Sequence, residues 1–380
     1  MTADQPAGLF ATACQAALAC GLQAPDKGLA AAPDDTAARS LRRPGHGPPA
    51  PAASYVHAPL RPYGETYLPE YGLIPAKFGH FFPIGTPTIF FMAVNEPASH
   101  PTLASQSDWT VDQGWTGYSA AEHQVWDQLY DRQAKLLAGR ACDAFLGGLK
   151  ALDLHRGGIP DFDRINRELT RLTGWSVVAV PGLVPDEVFF EHLANRRFPA
   201  GRFIRRPDQL DYLQEPDIFH DVFGHVPMLT DPVFADYMQA YGEGGRRALG
   251  LGRLHNLARL YWYTVEFGLL ETPAGLRIYG AGIVSSRSET LFALEDASPN
   301  RLGFDLVRLL RTPYRIDDFQ QTYFVIPSLK ALLDATLQDF GPIYAAVEGS
   351  ADIPIETVLD NDRVYNRGTQ AYALAQQSRA

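Results

Sequence analysis

Apolar positions along the chain fall into helical runs separated by short β-branched or aromatic stretches. Ser119, with Glu122 three residues later, has the form of a capping box. Val125, Trp126, Leu129, Tyr130, Leu136 and Leu137 then continue an apolar stripe that the spacing carries through to Leu152. A second helix is expected over residues 161–172, with Phe162, Ile165, Leu169 and Leu172 facing inward. The β-branched WSVVAV after Gly174 predicts a short buried strand. In VPGLVPDEVFFEHLANRRFP, prolines on both sides of Gly182 predict a rigid loop, followed by a helix from about residue 186; FIRR then predicts a short strand bearing Arg205 and Arg206. Further helices are expected over residues 231–249 and 254–271, the second apolar nearly all round and therefore central. GLRIYGAGIVSSRSETL predicts a hairpin-like pair of strands and a helix starting between Ser286 and Ser288. The aromatic strand QQTYFVI and a helix capped by Ser328 follow. The pattern as a whole predicts a mainly α fold with a few short β-strands.

The two ends differ from this core. Residues 1–60 are rich in Ala, Pro and Gly, a composition that buries too little apolar surface to offset chain entropy, so a disordered extension is expected, with a short helix at residues 8–22. The aromatic, proline-rich stretch over residues 67–122 is expected to wrap the core. Residues 351–380 carry no heptads and are expected to form a polar tail, leaving residues 61–350 as a single domain.

With 46% hydrophobic and 20% charged residues, the 380-residue chain has enough apolar content for a sizeable core. A net charge of -10 argues against nucleic acid or an anionic membrane surface as the main partner. No apolar run approaches the length of a membrane span. Three cysteines, Cys14, Cys20 and Cys142, form neither a disulfide framework nor a CxxC pair, which suits a reducing compartment. The run over residues 9–22 is interrupted by Gln15 and has no Lys or Arg before it, so it is not read as a secretory signal. A cytoplasmic location is expected.

Candidate chemistry gathers in EPDIFHDVFGH, residues 215–225, which places His220 and His225 five apart, and in LARLYWYTVEFGLL, where Glu266 is the only acid. Two imidazoles and a carboxylate suit a borderline divalent metal, and positions left to substrate or water are the arrangement of a non-haem iron(II) oxygenase. The same ligand types serve a hydrolytic zinc site, with Asp221 or Glu215 as base. Two satisfied polar histidines are the plain alternative, because positions five apart on an α-helix differ by about 140°. Convergence then requires the helix to end or distort near Gly224. Asp217 and Asp221 flank His220 as possible imidazole acceptors, and Glu266 stands in a segment too apolar for an unpaired charge. The loop at Gly182 suits a flat polar heterocycle bound through backbone groups, with an aromatic ring to stack on. Arg205 suits a carboxylate, Ser285 and Glu289 suit supporting or capping roles, and the glycines of YGAG permit a close approach.

Taken together, EPDIFHDVFGHVPMLTDPVFADY, LYWYTVEFGL and YGAGIVSS, in that order, with WTGYSAAEHQVW and VPGLVPDEVFFEHLANRRFP before them, resemble the catalytic domain of the pterin-dependent aromatic amino acid hydroxylases. The likeness is greatest to bacterial members and covers roughly residues 110–345. It implies a single catalytic domain hydroxylating L-phenylalanine to L-tyrosine with dioxygen, iron(II) and a tetrahydropterin; tryptophan or tyrosine as substrate is the alternative. It also implies His220, His225 and Glu266 as iron ligands, and Gly182, Leu183, Val184, Phe189 and Asp221 at the pterin. Arg205 is implied at the amino acid carboxylate, supported by Ser285, with Pro216, Trp262 and Phe267 around the ring. Where the family's pterin loop commonly has serines, this chain has Pro185 and Asp186. Neither the regulatory domain nor the C-terminal coiled coil of animal members is visible, so a monomer is expected. By analogy, separate enzymes recycle the pterin.

Overall fold

The computed structural model describes residues 108–211, 216–316 and 318–378. The expected N-terminal extension with its short helix, the proline-rich stretch before residue 108, and Glu215 lie outside the described residues. Ser119 opens α1 (Ala120–Leu137) with both halves of the capping box: its hydroxyl accepts from the Glu122 amide, and the Glu122 carboxylate accepts from the Ser119 amide at 2.7 Å. The apolar stripe is not continuous to Leu152. It stops at Leu137, the chain turns through Gly139 at φ 73°, and helix resumes in α2 (Asp143–Ala151).

Asp161 caps α3 (Phe162–Thr173), which buries Phe162, Ile165 and Leu169. The predicted strand is β1 (Ser176–Val180). It leads through the proline loop into α4 (Asp186–Ala194), and β2 (Arg197–Gly201) returns parallel to β1. This corrects the expected strand at FIRR. The strand lies upstream and contains Pro199, tolerated because each strand of a two-stranded sheet is an edge. The Phe203 carbonyl instead accepts from the Ile218 amide at 2.8 Å, so FIRR runs beside the candidate site.

Asp231 caps α5 (Pro232–Gly250), accepting from the Val233 and Phe234 amides. The helix expected over residues 254–271 is correct only in its first part. α6 (Leu254–Tyr261) passes into a π-helical turn, Trp262–Glu266, and then through Gly268 into β3 (Leu269–Thr272). β4 (Gly275–Ile278) pairs antiparallel with β3, so the hairpin partner of GLRI precedes it rather than follows it. YGAGIVSS forms the short α7 (Ala281–Val284), and Ser286 caps α8 (Arg287–Glu295). Next come β5 (Asn300–Gly303), α9 (Leu306–Leu310), β6 (Thr322–Ile326), α10 (Leu329–Thr336) with its Ser328 cap, and α11 (Phe340–Val347).

The segment after residue 350, expected as a polar tail, is part of the fold. β7 (Val364–Asn366) pairs antiparallel with β5 and completes a sheet of order β4-β3-β6-β5-β7; α12 (Ala371–Gln377) follows. Polar contacts fasten much of this segment: the Ile353 amide donates to the Arg311 carbonyl, Asn300 Nδ2 donates to the Glu356 carbonyl, and buried Arg308 pairs with Asp362 at 3.2 Å. Hydrogen bonding to the sheet leaves no hydrophobic period to read. Among the described residues, no helix is long and apolar enough to cross a membrane.

Candidate metal centre

Both candidate ligand segments are wound as π-helix, Phe219–His225 and Trp262–Glu266. Hydrogen bonding from i to i+5 widens the turn, so positions five apart come to lie about one turn apart. This is the distortion that the His220–His225 spacing required. Around the first turn, Phe219 stacks on Phe223 at 4.7 Å between ring centroids, Trp126 meets Phe219 edge-on at 5.3 Å, and Tyr130 and Phe145 each meet Phe223 at 5.7 Å. Asp217 caps its start, accepting from the His220 amide at 3.1 Å, and Pro227, lacking an amide proton, stands just beyond its end. In the second turn, the Thr264 hydroxyl takes the Leu260 carbonyl, and the Phe267 amide reaches back to the Trp262 carbonyl at 2.8 Å. A Thr hydroxyl on the i−4 carbonyl is a known cause of helix distortion.

The two turns bring His220, His225 and Glu266 together. All three are buried, and their donor atoms lie within 4.8 Å of one another, the one such group of His, Cys and carboxylate side chains among the described residues. The two Nε2 atoms are 3.1 Å apart; Glu266 Oε1 is 3.4 Å from His225 Nε2, and Oε2 is 3.8 Å from His220 Nε2. For ligand bonds of about 2.1 Å, two cis nitrogens stand about 3.0 Å apart.

Protonation follows from the neighbours. Ser285 Oγ has one proton, which it donates to the Ala281 carbonyl at 2.7 Å, so toward His220 Nδ1 at 2.9 Å it accepts. His220 therefore carries its proton on Nδ1 and turns the Nε2 lone pair toward His225 and Glu266. Burial, and then the nearby His225 and Arg205, hold its pKa well below the ordinary histidine value, so the ring is neutral. Glu266 Oε2 is buried with no hydrogen-bond partner. The His220 lone pair, the His225 Nε2 atom and a carboxylate oxygen without a hydrogen-bond partner converge on one point, a donor set that fits a divalent cation. The YGAG glycines make this approach possible. A Cβ on Gly280 would stand 2.4 Å from the Glu266 carbonyl oxygen, and one on Gly282 would stand 3.3 Å from Glu266 Oε2.

The other predicted residues fall into three groups. Arg205 is buried, and Asp217 holds it in a two-pronged pair, Nε to Oδ2 and Nη2 to Oδ1, each at 2.8 Å. Burial would strip its charge, but Asp217 more than offsets this and raises its pKa. Since Asp217 is committed to Arg205 and to the His220 amide, Ser285 and not an aspartate accepts the imidazole proton. Ser285 accordingly orients His220. Gly182, Leu183 and Val184 lie in the loop before α4, with Val184 buried. Phe189 on α4 meets Tyr261 edge-on at 5.9 Å, and Tyr261 lies 6.2 Å from the His225 ring. Asp221, inside the first π turn, accepts from the Gly201 amide at 2.7 Å. Pro216, Trp262 and Phe267 are buried, and the Trp262 and Phe267 rings are 5.1 Å apart.

A family model described as biopterin-dependent aromatic amino acid hydroxylase matches residues 112–342. The chain belongs to this family. It is 72% identical over 275 residues to a phenylalanine-4-hydroxylase of Caulobacter vibrioides, which covers 72% of this chain and 94% of that protein. A phenylalanine-4-hydroxylase of Chromobacterium violaceum is 58% identical over 262 residues, 69% of this chain and 88% of that protein. The iron- and phenylalanine-bound crystal structure of the C. violaceum phenylalanine hydroxylase matches with a TM-score of 0.66 at 55% identity, over 69% of this chain and 96% of that one. As a biopterin-dependent hydroxylase the chain is an enzyme acting on an aromatic amino acid, and the zinc hydrolase reading finds no support. Sequence reasoning missed several residues of this hydroxylase site. Phe198 and Tyr261 flank the His225 ring, at 4.9 and 6.2 Å, and read as ordinary core in the sequence. Gln320, whose Oε1 accepts from Trp262 Nε1 at 3.0 Å, was signalled only by being an amide at the start of an otherwise apolar strand.

Proposed function

We propose that this chain hydroxylates phenylalanine to tyrosine, using dioxygen, a reduced tetrahydropterin and iron(II) held by His220, His225 and Glu266. The observation that carries the metal assignment is the convergence of three buried donors with Glu266 Oε2 unpartnered. The names of the similar bacterial enzymes support phenylalanine over tryptophan or tyrosine.

Iron and reduced pterin, when bound, supply the activation of dioxygen that ring hydroxylation requires. The chain's own residues bind, orient and exclude water. Ser285 fixes the His220 tautomer. Three protein donors leave the remaining metal positions to the reactants. Arg205, steadied by Asp217, offers its other N–H groups to the substrate carboxylate, so that the ring is presented in one orientation. Pro216, Trp262 and Phe267 take the ring. Phe189, the backbone of residues 182–184 and Asp221 take the pterin; the contacts of Tyr261 with both Phe189 and the His225 ring support a pterin site beside the metal. Phe198 and Tyr261 keep water from the outer face of His225.

The same reading extends to the whole chain. The iron- and pterin-binding domain runs from about residue 61 into the C-terminal segment, the first 60 residues are an extension, and the protein works as a monomer in the cytoplasm with separate enzymes recycling the pterin. Oxygen uptake tests the chemistry: protein loaded anaerobically with iron(II) should consume oxygen only when phenylalanine and tetrahydrobiopterin are both present. Equal activity with zinc, or without pterin, would reject it.

A further inference from the structure

Tyr314 and Arg315, with residues 318–320, stand between the proposed ring pocket and the C-terminal helix. Trp262 is held from this loop on two sides: its Nε1 donates to Gln320 Oε1 at 3.0 Å, and its ring stacks on Tyr314 at 4.1 Å between centroids. The Gln320 side-chain nitrogen donates to the Arg315 carbonyl at 2.8 Å, so a single amide ties the indole to the loop backbone. The loop is itself fastened from the far end of the chain. Tyr372, on α12, donates its hydroxyl to Asp318 Oδ1 at 2.9 Å. Its ring packs against Phe319 at 5.2 Å and Phe292 at 5.4 Å, which are stacked on each other at 4.4 Å. Asp318 is buried; Oδ1 also accepts from the Phe319 amide at 2.8 Å, and the Arg315 guanidinium stands 4.0 Å from Oδ2. A hydroxyl bond to a buried carboxylate is among the stronger hydrogen bonds available to a side chain. The family match ends at residue 342, so Tyr372 lies outside the part of the chain that the family description covers.

We propose that Tyr372 is a positioning residue for the amino acid's ring pocket: through Asp318 and Gln320 it fixes where the Trp262 indole stands, and so which aromatic ring the pocket accepts. This rests on the reading of Trp262 as a wall of that pocket. A merely structural role for Tyr372 would reside in its ring, whereas the positioning role resides in its hydroxyl. Tyr372→Phe separates the two because it keeps the ring.

The test uses the full chain loaded with iron(II), with tetrahydrobiopterin and oxygen. It measures kcat and KM for phenylalanine and tryptophan, the pterin oxidised per amino acid hydroxylated, and Tm. In Tyr372→Phe the ratio of kcat/KM for the two amino acids should shift by about threefold or more, the low end of what one hydrogen bond is worth. More pterin should be oxidised per hydroxylation, while Tm falls by only the few degrees that one lost hydrogen bond costs, because the ring packing remains. Asp318→Ala should shift the ratio alike and the double variant no further, while Asp318→Asn, whose amide oxygen still accepts, should stay near wild type. A Tyr372→Phe enzyme with wild-type selectivity and coupling, whatever its Tm, would overturn the proposal, as would a double variant whose shift is the product of the two single shifts. Trp262→Phe is the reference. If it also leaves selectivity unchanged, the pocket reading falls and takes the proposal with it; if it alone shifts selectivity, only the fastening falls.

Discussion

Ser285 shows how much a single hydroxyl decides at this site. It accepts the His220 Nδ1 proton and passes its own to the Ala281 carbonyl, which leaves the Nε2 lone pair free for a cation. Ser285→Ala should therefore lower metal affinity by about 10- to 100-fold, as other losses of a ligand's hydrogen-bond partner do. It should also cost about 1–3 kcal/mol of stability through the buried imidazole proton left unmet. Iron titration and thermal unfolding of the variant check both. Glu289 is a second residue whose state is set by its surroundings. Burial pushes its carboxyl up to about 8, against which hydrogen bonds from the Tyr323 hydroxyl and from the Gln320 backbone amide work only in part. With the folded value above the unfolded one, the folded state holds the extra proton, so this group's contribution is full below about 4.5 and is lost as pH rises through about 8. Over that window the wild-type Tm should fall relative to that of Glu289→Gln. Parallel Tm curves for the two would contradict it. Of these residue roles, the three candidate ligands were legible from chemical type alone, because a carboxylate in LYWYTVEFGL needs a partner. For Ser285 the sequence offered a supporting or capping role but not the His220 ring as its partner, since it gives no direction for a hydroxyl.

At the scale of elements, helix starts came through: Ser119 and Ser328 cap where expected, and Asp161, Asp231 and Ser286 cap helices expected to begin at those positions. The two π-helical turns did not, because apolar spacing near 3.6 is shared by a helix that continues and one that widens for a single turn. Their cause lies in contacts distant in sequence. For the second turn these include the Tyr237 hydroxyl on Thr264 at 2.8 Å and the bare face of Gly280 against the Glu266 carbonyl. Gly280→Ala tests that packing. Its methyl would stand 2.4 Å from the Glu266 oxygen and 2.5 Å from the Gly268 nitrogen, both backbone atoms, so α7 and the π turn must separate. We expect a loss of about 1–3 kcal/mol, in the range of overpacked cores, together with a fall in iron occupancy. A variant with wild-type Tm and iron content would show that the fit of α7 does not set Glu266.

For the molecule as a whole, the sequence pattern gave the class of fold and the order of its motifs, yet it ended the domain too early. The C-terminal segment hangs on polar contacts to β5, β6 and α9 that no periodicity encodes, and it reaches back through Tyr372 to the loop beside Trp262. At this scale, one buried cluster of two histidines and a glutamate is proposed to carry the hydroxylation of phenylalanine. Its most direct test offers iron-loaded protein a mixture of ring-labelled phenylalanine, tyrosine and tryptophan with tetrahydrobiopterin and oxygen, and identifies the products by mass. We predict labelled tyrosine as the dominant product, absent when iron or pterin is withheld and absent in Glu266→Ala. Hydroxytryptophan or dihydroxyphenylalanine as the dominant product would contradict the substrate, and labelled tyrosine from Glu266→Ala would contradict the site.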